Sequence, residues 1–271
     1  MLDSLPIAAL AEPVLFAGFL IMLRMIGLLL ALPALGSGTF GGPTRMTIIV
    51  FMTVYFYSAL GAPFVPVPTE PATAVMMLTR EFLIGSGLGV FMRLFFAIAD
   101  ASGAIIGMTM SLSMAGMVDP STGEQSTSIA NLFSLGTLLI FVSLGGHHEV
   151  IKGLWANFQA FPIAETTLVG FDLAGLEELG RGLFTAAIRI SAPVIICTTL
   201  VNVGLGLMAR AAPQVNIFAV GFSVLLCVGL ALMDTTILAL RETYEDRIPT
   251  LSQDMNQYLQ VIDEMKLAPT Q

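Results

Sequence analysis

Charge is what this sequence has least of: only 11% of its 271 residues are Asp, Glu, Lys or Arg, against 56% hydrophobic residues. With a mean hydropathy of +0.88, too little polar surface remains to wrap a water-soluble core of this length. Histidine is nearly absent too, His147 and His148 being the only two. A zinc site would have to borrow carboxylates, and His147-His148-Glu149 fails as a zincin helix because Lys152 stands four residues after His148. Cysteine is limited to Cys197 and Cys227, both inside apolar runs, where a free thiol packs as a small hydrophobe and no disulfide framework is indicated. No serine has glycine both two before and two after it, so the nucleophile elbow is missing, and Ser111 and Ser113 have no identified base. Gly85-x-Gly-x-Gly89 and Gly204-x-Gly-x-x-Ala209 lie inside apolar helical runs, not after a strand, so helix packing explains them better than a dinucleotide. These absences argue against an enzyme, a metal and a cofactor. Net charge −8 argues against nucleic acid and against an anionic lipid surface as main partner, since both select clustered Lys and Arg.

What the sequence does contain is a series of apolar runs. They fall at about Val14–Ala34, Met46–Ala62, Ala72–Ala99, Thr127–Gly146, Gly182–Met208 and Ile217–Leu240, each near the roughly 20 residues that a helix needs to cross a bilayer core. Strand-like alternation is absent, and backbone in lipid must satisfy its own hydrogen bonds, so an all-α membrane protein is predicted. Before the first run stand Asp3 and Glu12 but no Lys or Arg; that is not the basic region of a cleaved signal peptide, and the run is read as retained. Orientation stays open, because the stretches 62–72 and 99–126 both lack Lys and Arg. One helical domain over 1–245 is expected, followed by a polar tail over 246–271. In the tail Thr250-x-x-Gln253 can cap a helix on which Leu251, Met255, Tyr258, Leu259 and Ile262 recur at helical spacing. About three turns of amphipathic helix are predicted, docking on protein.

Several features are unusual for helices bathed in lipid. Arg24, Arg80, Arg93 and Arg189 fall inside or at the edge of apolar runs, and each would cost roughly 2.5–3.5 kcal/mol near the centre of a lipid-exposed helix. Arg24, about ten residues into its run, is expected to have a buried partner. Arg80 and Glu81 are adjacent, about 100° apart on a helix, so each is expected to find its partner elsewhere. Pro193 in the middle of the 182–208 run predicts a kink or break. Gly85-xxx-Gly89 and Gly103-xxx-Gly107 permit close helix contact. A short segment, Gly107 to Pro120, carries Met108, Met110, Met114 and Met117, ends in Asp119-Pro120 and turns polar through Ser121–Ser128. Met is flexible and polarizable, so such a cluster can fill irregular gaps or re-pack. A small secondary transporter is the alternative, with Glu81, Asp100 and Asp234 as its candidate acids; two halves with matching hydrophobic patterns are not found, and the Met-rich segment has no place in it.

From about residue 14 to residue 241 the order of motifs resembles the FliR family of type III protein-export gates. The resemblance rests on Arg24, Pro33 and Pro43-x-Arg45; on Arg80-Glu81 with Gly85, Gly89, Gly103 and Gly107; and on Gly116, Asp119-Pro120, Gly146-His147-His148 and Pro162. Its most specific part is Ala192-Pro193 and the run Leu205-Gly206-Leu207-Met208-Ala209-Arg210-Ala211-Ala212-Pro213-Gln214-Val215-Asn216-Ile217-Phe218-Ala219-Val220-Gly221. The family usually continues with Pro-Lys, where this chain reads Phe222-Ser223-Val224. The resemblance implies kinked helical hairpins that join FliP-like and FliQ-like subunits in a hetero-oligomeric pore and contact an FlhB-like subunit, passing unfolded proteins out of the cytoplasm. It implies a bacterial inner-membrane place in the flagellar basal body, projecting toward the periplasm, with membrane lipid as surroundings and no cofactor. It further implies that Met108, Met110, Met114, Met117, Asp119 and Pro120 belong to a pore plug, and that Arg24, Glu81, Arg93 and Arg210 are buried structural charges.

Overall fold

The computed structural model describes residues 7–31, 41–111, 128–165, 169–171, 173–214, 216–257 and 259–261. Nearly all of them are helical: α1 (Ile7–Ala31), α2 (Gly42–Ala59), α3 (Pro71–Thr109), α4 (Ser128–Ser143), α5 (Gly146–Ala160), α6 (Leu173–Ala211), α7 (Ile217–Ala231), α8 (Met233–Arg247) and α9 (Leu251–Gln257). Apart from turns and loops there is a pair of three-residue strands among the described residues, β1 (Val169–Phe171) and β2 (Leu259–Val261), antiparallel with Gly170 opposite Gln260. Among the described residues, three helices are long and apolar enough to cross a membrane, over Glu12–Leu30, Pro71–Thr109 and Glu177–Ala211, or up to five if two bent helix pairs count as one span each. The predicted all-α membrane fold is thus the fold observed.

The sequence run at 72–99 continues beyond its predicted end in the 39-residue helix α3, which passes through Asp100 without interruption to Thr109. Helix α6 also runs unbroken through Pro193, where a kink or a break was expected. The missing N–H of Pro193 leaves one carbonyl a turn earlier without its usual donor, yet the helix continues on both sides. The breaks fall elsewhere. Between α4 and α5 the axis bends by 71° at Gly145, whose φ of +74° is cheap for glycine alone. Between α7 and α8 it bends by 45° at Leu232, where the hydroxyls of Thr235 and Thr236 donate to the Leu232 carbonyl at 2.7 and 3.3 Å beside the Thr236 N–H at 3.2 Å, the kind of side-chain insertion that accompanies a bend.

The chain divides into two compact units. The first comprises residues 1–93, 150–177 and 251–271 and the second residues 94–149 and 178–250; α3 gives its first part to one and its end to the other. In the first unit α1 buries Ala17, Leu20, Ile21, Met25 and Leu28, a 3–4 spacing that makes one helix face. A cluster of Ala17, Leu20 and Val65 is closed by Phe16, Tyr57, Met77 and Leu78. The tail belongs to this unit. Its helix is shorter than the three turns predicted: α9 ends at Gln257, and Leu259 lies in β2, where the backbone pairs with β1 instead of with its own helix. Tyr258 and Ile262 lie outside the described residues. Leu251 and Met255 are buried, and the Met255 sulfur occupies the space over Gly153, where an added Cβ would lie 2.9 Å from it.

The second unit is knit by aromatic rings. Phe95 packs edge-on to Tyr244 with centroids 5.0 Å apart, and Phe96 to Phe141 at 5.1 Å. The buried Tyr244 hydroxyl donates to the Phe95 carbonyl at 3.0 Å, which satisfies the one polar atom this cluster takes out of contact with water. Close helix contact is made through glycine: a Cβ at Gly103 of α3 would come within 2.6 Å of the Ala130 backbone of α4.

Candidate functional site

The buried polar residues of the first unit converge on one place. It is prepared by a glycine crossing, since a Cβ on Gly27 of α1 would lie 2.7 Å from the Gly85 backbone of α3, and a Cβ on Gly85 would run into the Arg24 backbone. With no side chains at the crossing, the two helices approach closely. Glu81 lies one turn before Gly85 and Arg24 almost one turn before Gly27, so the same crossing brings this acid and this base together.

Arg24 is wholly buried and its donors are well used. Nε donates to Glu81 Oε2 at 2.7 Å, Nη1 to Asn157 Oδ1 at 3.1 Å and Nη2 to the Phe161 carbonyl at 3.0 Å. Nη2 also lies 2.5 Å from Glu81 Oε2, giving the forked charge-assisted contact that suits guanidinium. The Phe158 ring lies beneath the guanidinium at 4.3 Å, a cation–π contact, and is itself packed on Phe56 at 5.3 Å. Arg80 is buried beside it. Its Nη1 donates to the Pro162 carbonyl at 2.9 Å and to Glu81 Oε1 at 3.3 Å, and its Nη2 to Glu165 Oε2 at 3.0 Å. Adjacent in sequence, Arg80 and Glu81 were not expected to pair. They do, because the long arginine stem reaches around the helix, while each also holds the outside partner that was expected. Two arginines and two carboxylates leave the cluster formally neutral, which is the condition for burying it. Within this cluster, Arg80 Nε is the one buried side-chain nitrogen with no hydrogen-bond partner among the described residues.

Asn157 relays the network toward the tail. Its Nδ2 donates to Asn256 Oδ1 at 3.0 Å, and Asn256 Nδ2 donates to the carbonyls of Gly153 and Ser252, each at 3.0 Å. Asn157, Phe158, Glu165 and Asn256 were missed in the sequence. The signal for Asn157 was present, since it sits among Leu154, Phe158 and Phe161 on the apolar face of α5. Nothing local marks Glu165 or Asn256.

Arg93 and Arg210, expected as structural charges at subunit contacts, are both exposed on this chain taken alone. Arg93 and Asp100, seven residues apart, share one exposed face of α3, and Arg210 stands in the last turn of α6, where a cation complements the helix dipole. Asp234 is exposed as well, and Asp100, also exposed, accepts a short hydrogen bond from the Ser134 hydroxyl. Glu81, the third acid considered for transport, is held by two arginines.

Of the Met-rich segment, Met108 and Met110 are described and Met114, Met117, Asp119 and Pro120 lie outside the described residues. Met108 is 65% exposed, whereas Met110 is buried with its thioether over Gly229 of α7, in the space a Cβ there would fill. The helix ends at once: Ser111 N–H donates to the Met108 carbonyl at 3.1 Å, and Ser111 itself has φ +61°, a left-handed residue that stops α3. His147 and His148 are exposed in the first turn of α5 with their rings 4.1 Å apart.

The family model for bacterial export proteins, family 1, matches residues 15–251. The flagellar biosynthetic protein FliR of Escherichia coli (strain K12) is 32% identical over 212 residues, 78% of this chain and 80% of that protein. FliR of Pectobacterium carotovorum subsp. carotovorum is 30% identical over 210 residues, 76% of this chain and 78% of its own. The surface presentation of antigens protein SpaR of Salmonella typhimurium is 26% identical over 204 residues, 74% of this chain and 75% of that protein. Because the match takes in both units, the charge cluster from Arg24 to Glu165 and the root of the Met-rich segment, the chain belongs to the FliR family of bacterial export proteins.

Proposed function

We propose that this chain is a non-catalytic subunit of the flagellar type III export gate, which forms with FliP-like and FliQ-like subunits, and beside an FlhB-like subunit, a gated pore for unfolded proteins in the bacterial inner membrane. The observation that carries the reading is the family match through residues 15–251, shared with relatives named as flagellar biosynthetic proteins. A further feature supports it. Arg93 and Arg210 are exposed on apolar helices, where a neighbouring subunit or water suits a guanidinium far better than lipid. They pair with carboxylates or carbonyls of adjacent subunits, while Arg24 and Glu81 hold the fold that presents them.

Met108, Met110, Met114 and Met117, ending at Asp119-Pro120, form the plug. Met110, set over Gly229, anchors its root, and Met108 begins the deformable part that seals the pore until a chain enters. The test is to tag the chain, extract native membranes in mild detergent and identify what co-purifies in one large particle. FliP-like and FliQ-like subunits are expected. Recovery of the chain alone as a stable homo-oligomer would overturn the reading in favour of a transporter.

A further inference from the structure

We infer that the C-terminal tail is a latch that closes the first unit last: α9 docks on a seat in α5 and, through Asn256, sets the Asn157 amide against Arg24. The match to the family model ends at residue 251, so nearly all of α9 and the whole of β2 lie beyond the segment shared with the family. The first unit is built from three separate stretches of sequence, and the tail is the last of them to be synthesised.

The seat is one turn of α5. Gly153 and Asn157, four residues apart and both buried, share a face. Gly153 leaves room for α9 to approach, since an added Cβ would lie 2.9 Å from the Met255 sulfur and 3.3 Å from the Ser252 Cα. Leu251 and Met255 form the buried apolar side of α9. Asn256 supplies the polar part, and its hydrogen bonds have a fixed sense. A guanidinium has only donors, so Asn157 must turn Oδ1 toward Arg24 Nη1, 3.1 Å away, and Nδ2 the other way. Buried there, Nδ2 needs an acceptor, and Asn256 Oδ1 is that acceptor at 3.0 Å. Asn256 Nδ2 is then left to donate to the Gly153 and Ser252 carbonyls. The pairing of 259–261 with 169–171 adds a second grip, backbone to backbone. With the tail removed, the Asn157 amide loses its acceptor and its hold on Arg24 loosens. A chain that stops before Leu251 therefore has its charge cluster unlatched, and only the complete chain closes it. Contacts within the first unit alone carry this inference, so it does not depend on the proposed gate.

The experiment uses the full chain, with whatever subunits accompany it in mild detergent, carrying a specific protease site inserted between Thr250 and Leu251. The chain is cut after it has folded, and retention of the fragment 251–271 is followed by gel filtration. The fragment should stay bound and should exchange with an excess of synthetic peptide 251–271. A peptide carrying Asn256→Leu should compete about tenfold less well, because it leaves Asn157 Nδ2 buried without an acceptor. The substitution sits in the peptide, so folding of the chain is not at issue. In a chain carrying Asn157→Leu the two peptides should compete nearly alike, which separates an action through Asn157 from a merely local contact. Gly153→Leu, which fills the seat, should release the fragment on cutting. Loss of the fragment from the native chain on cutting, equal competition by the two peptides, or retention unaffected by Gly153→Leu would overturn the inference.

Discussion

Glu81→Gln is the most informative single change in the charge cluster. It keeps the shape of the side chain and removes one negative charge from a site that holds two fully buried guanidinium groups. After it, Arg24 keeps Asn157, the Phe161 carbonyl and the Phe158 ring, but no carboxylate; Arg80 keeps Glu165, whose side chain is 48% exposed. Breaking a buried pair from one side leaves an uncompensated charge, and the expected loss is about 3–5 kcal/mol. Removing the pair altogether with Arg24→Met and Glu81→Leu should be milder: Asn157 and the Phe161 carbonyl each lose a donor, roughly 1 kcal/mol apiece, but no lone charge remains. Trp155, the single tryptophan of the chain, lies on α5 two residues from Asn157 and reports on this unit by its fluorescence. Unfolding of the chain in mixed micelles with rising denaturing detergent, followed through Trp155, gives the ranking. The reasoning is refuted if Glu81→Gln loses less than about 1 kcal/mol, or if the double variant is the less stable of the two.

Gly85→Ala should lose about 1–3 kcal/mol in the same assay, since its Cβ would meet the Arg24 backbone and not a side chain that can move aside; Gly136→Ala, with nothing within 4 Å, should be neutral or slightly stabilising, and equal effects at the two positions would refute the crossing. Tyr244→Phe should cost about 1 kcal/mol, the ordinary value of a hydrogen bond, leaving the Phe95 contact intact; a larger loss, measured by thermal melting of the full chain in detergent, would mean that the hydroxyl does more than satisfy the Phe95 carbonyl. Deleting residues 110–116 should raise the leak of small ions through assembled gates, and Gly229→Ala, which displaces Met110, should raise it to a lesser extent; unchanged membrane conductance in both would count against a Met plug.

The sequence made the helices legible because membrane helices are written in length and hydropathy, and it made Arg24 conspicuous because an arginine ten residues into an apolar run must have a partner. Identifying that partner required long-range information. Glu81 is 57 residues away, Asn157 is 133 and the Phe161 carbonyl 137, and no periodicity in one segment encodes a meeting with another. Local geometry also misled at Arg80 and Glu81, where the 100° argument treated side chains as rigid spokes although arginine has the reach to bend toward its neighbour. Pro193 does not end α6 for a related reason. Proline removes one hydrogen bond, and a long helix can lose one and continue, whereas Gly145 at positive φ redirects the backbone itself. The tail pattern Leu251, Met255, Leu259 fits a helix in spacing, but pairing of residues 259–261 with 169–171 decides the last part.

The four arginines in apolar runs divide into two kinds, and the division bears on how the chain lives in a membrane. Arg24 and Arg80 are neutralised within the first unit, so they contribute nothing to a positive-inside count, and any orientation argued from them would be unsound. Arg93 and Arg189 are exposed. Arg93 stands near the middle of α3, and Asp234, also exposed, stands at the bend of the α7–α8 pair. Left facing hydrocarbon, these two central charges alone would cost roughly 5–7 kcal/mol, on the order of the whole stability of a typical protein. The faces that carry Arg93 and Asp234 are therefore not lipid faces: they meet water or the polar surface of another chain, and a reconstituted bilayer holding this chain by itself should bind it poorly unless it self-associates through those faces.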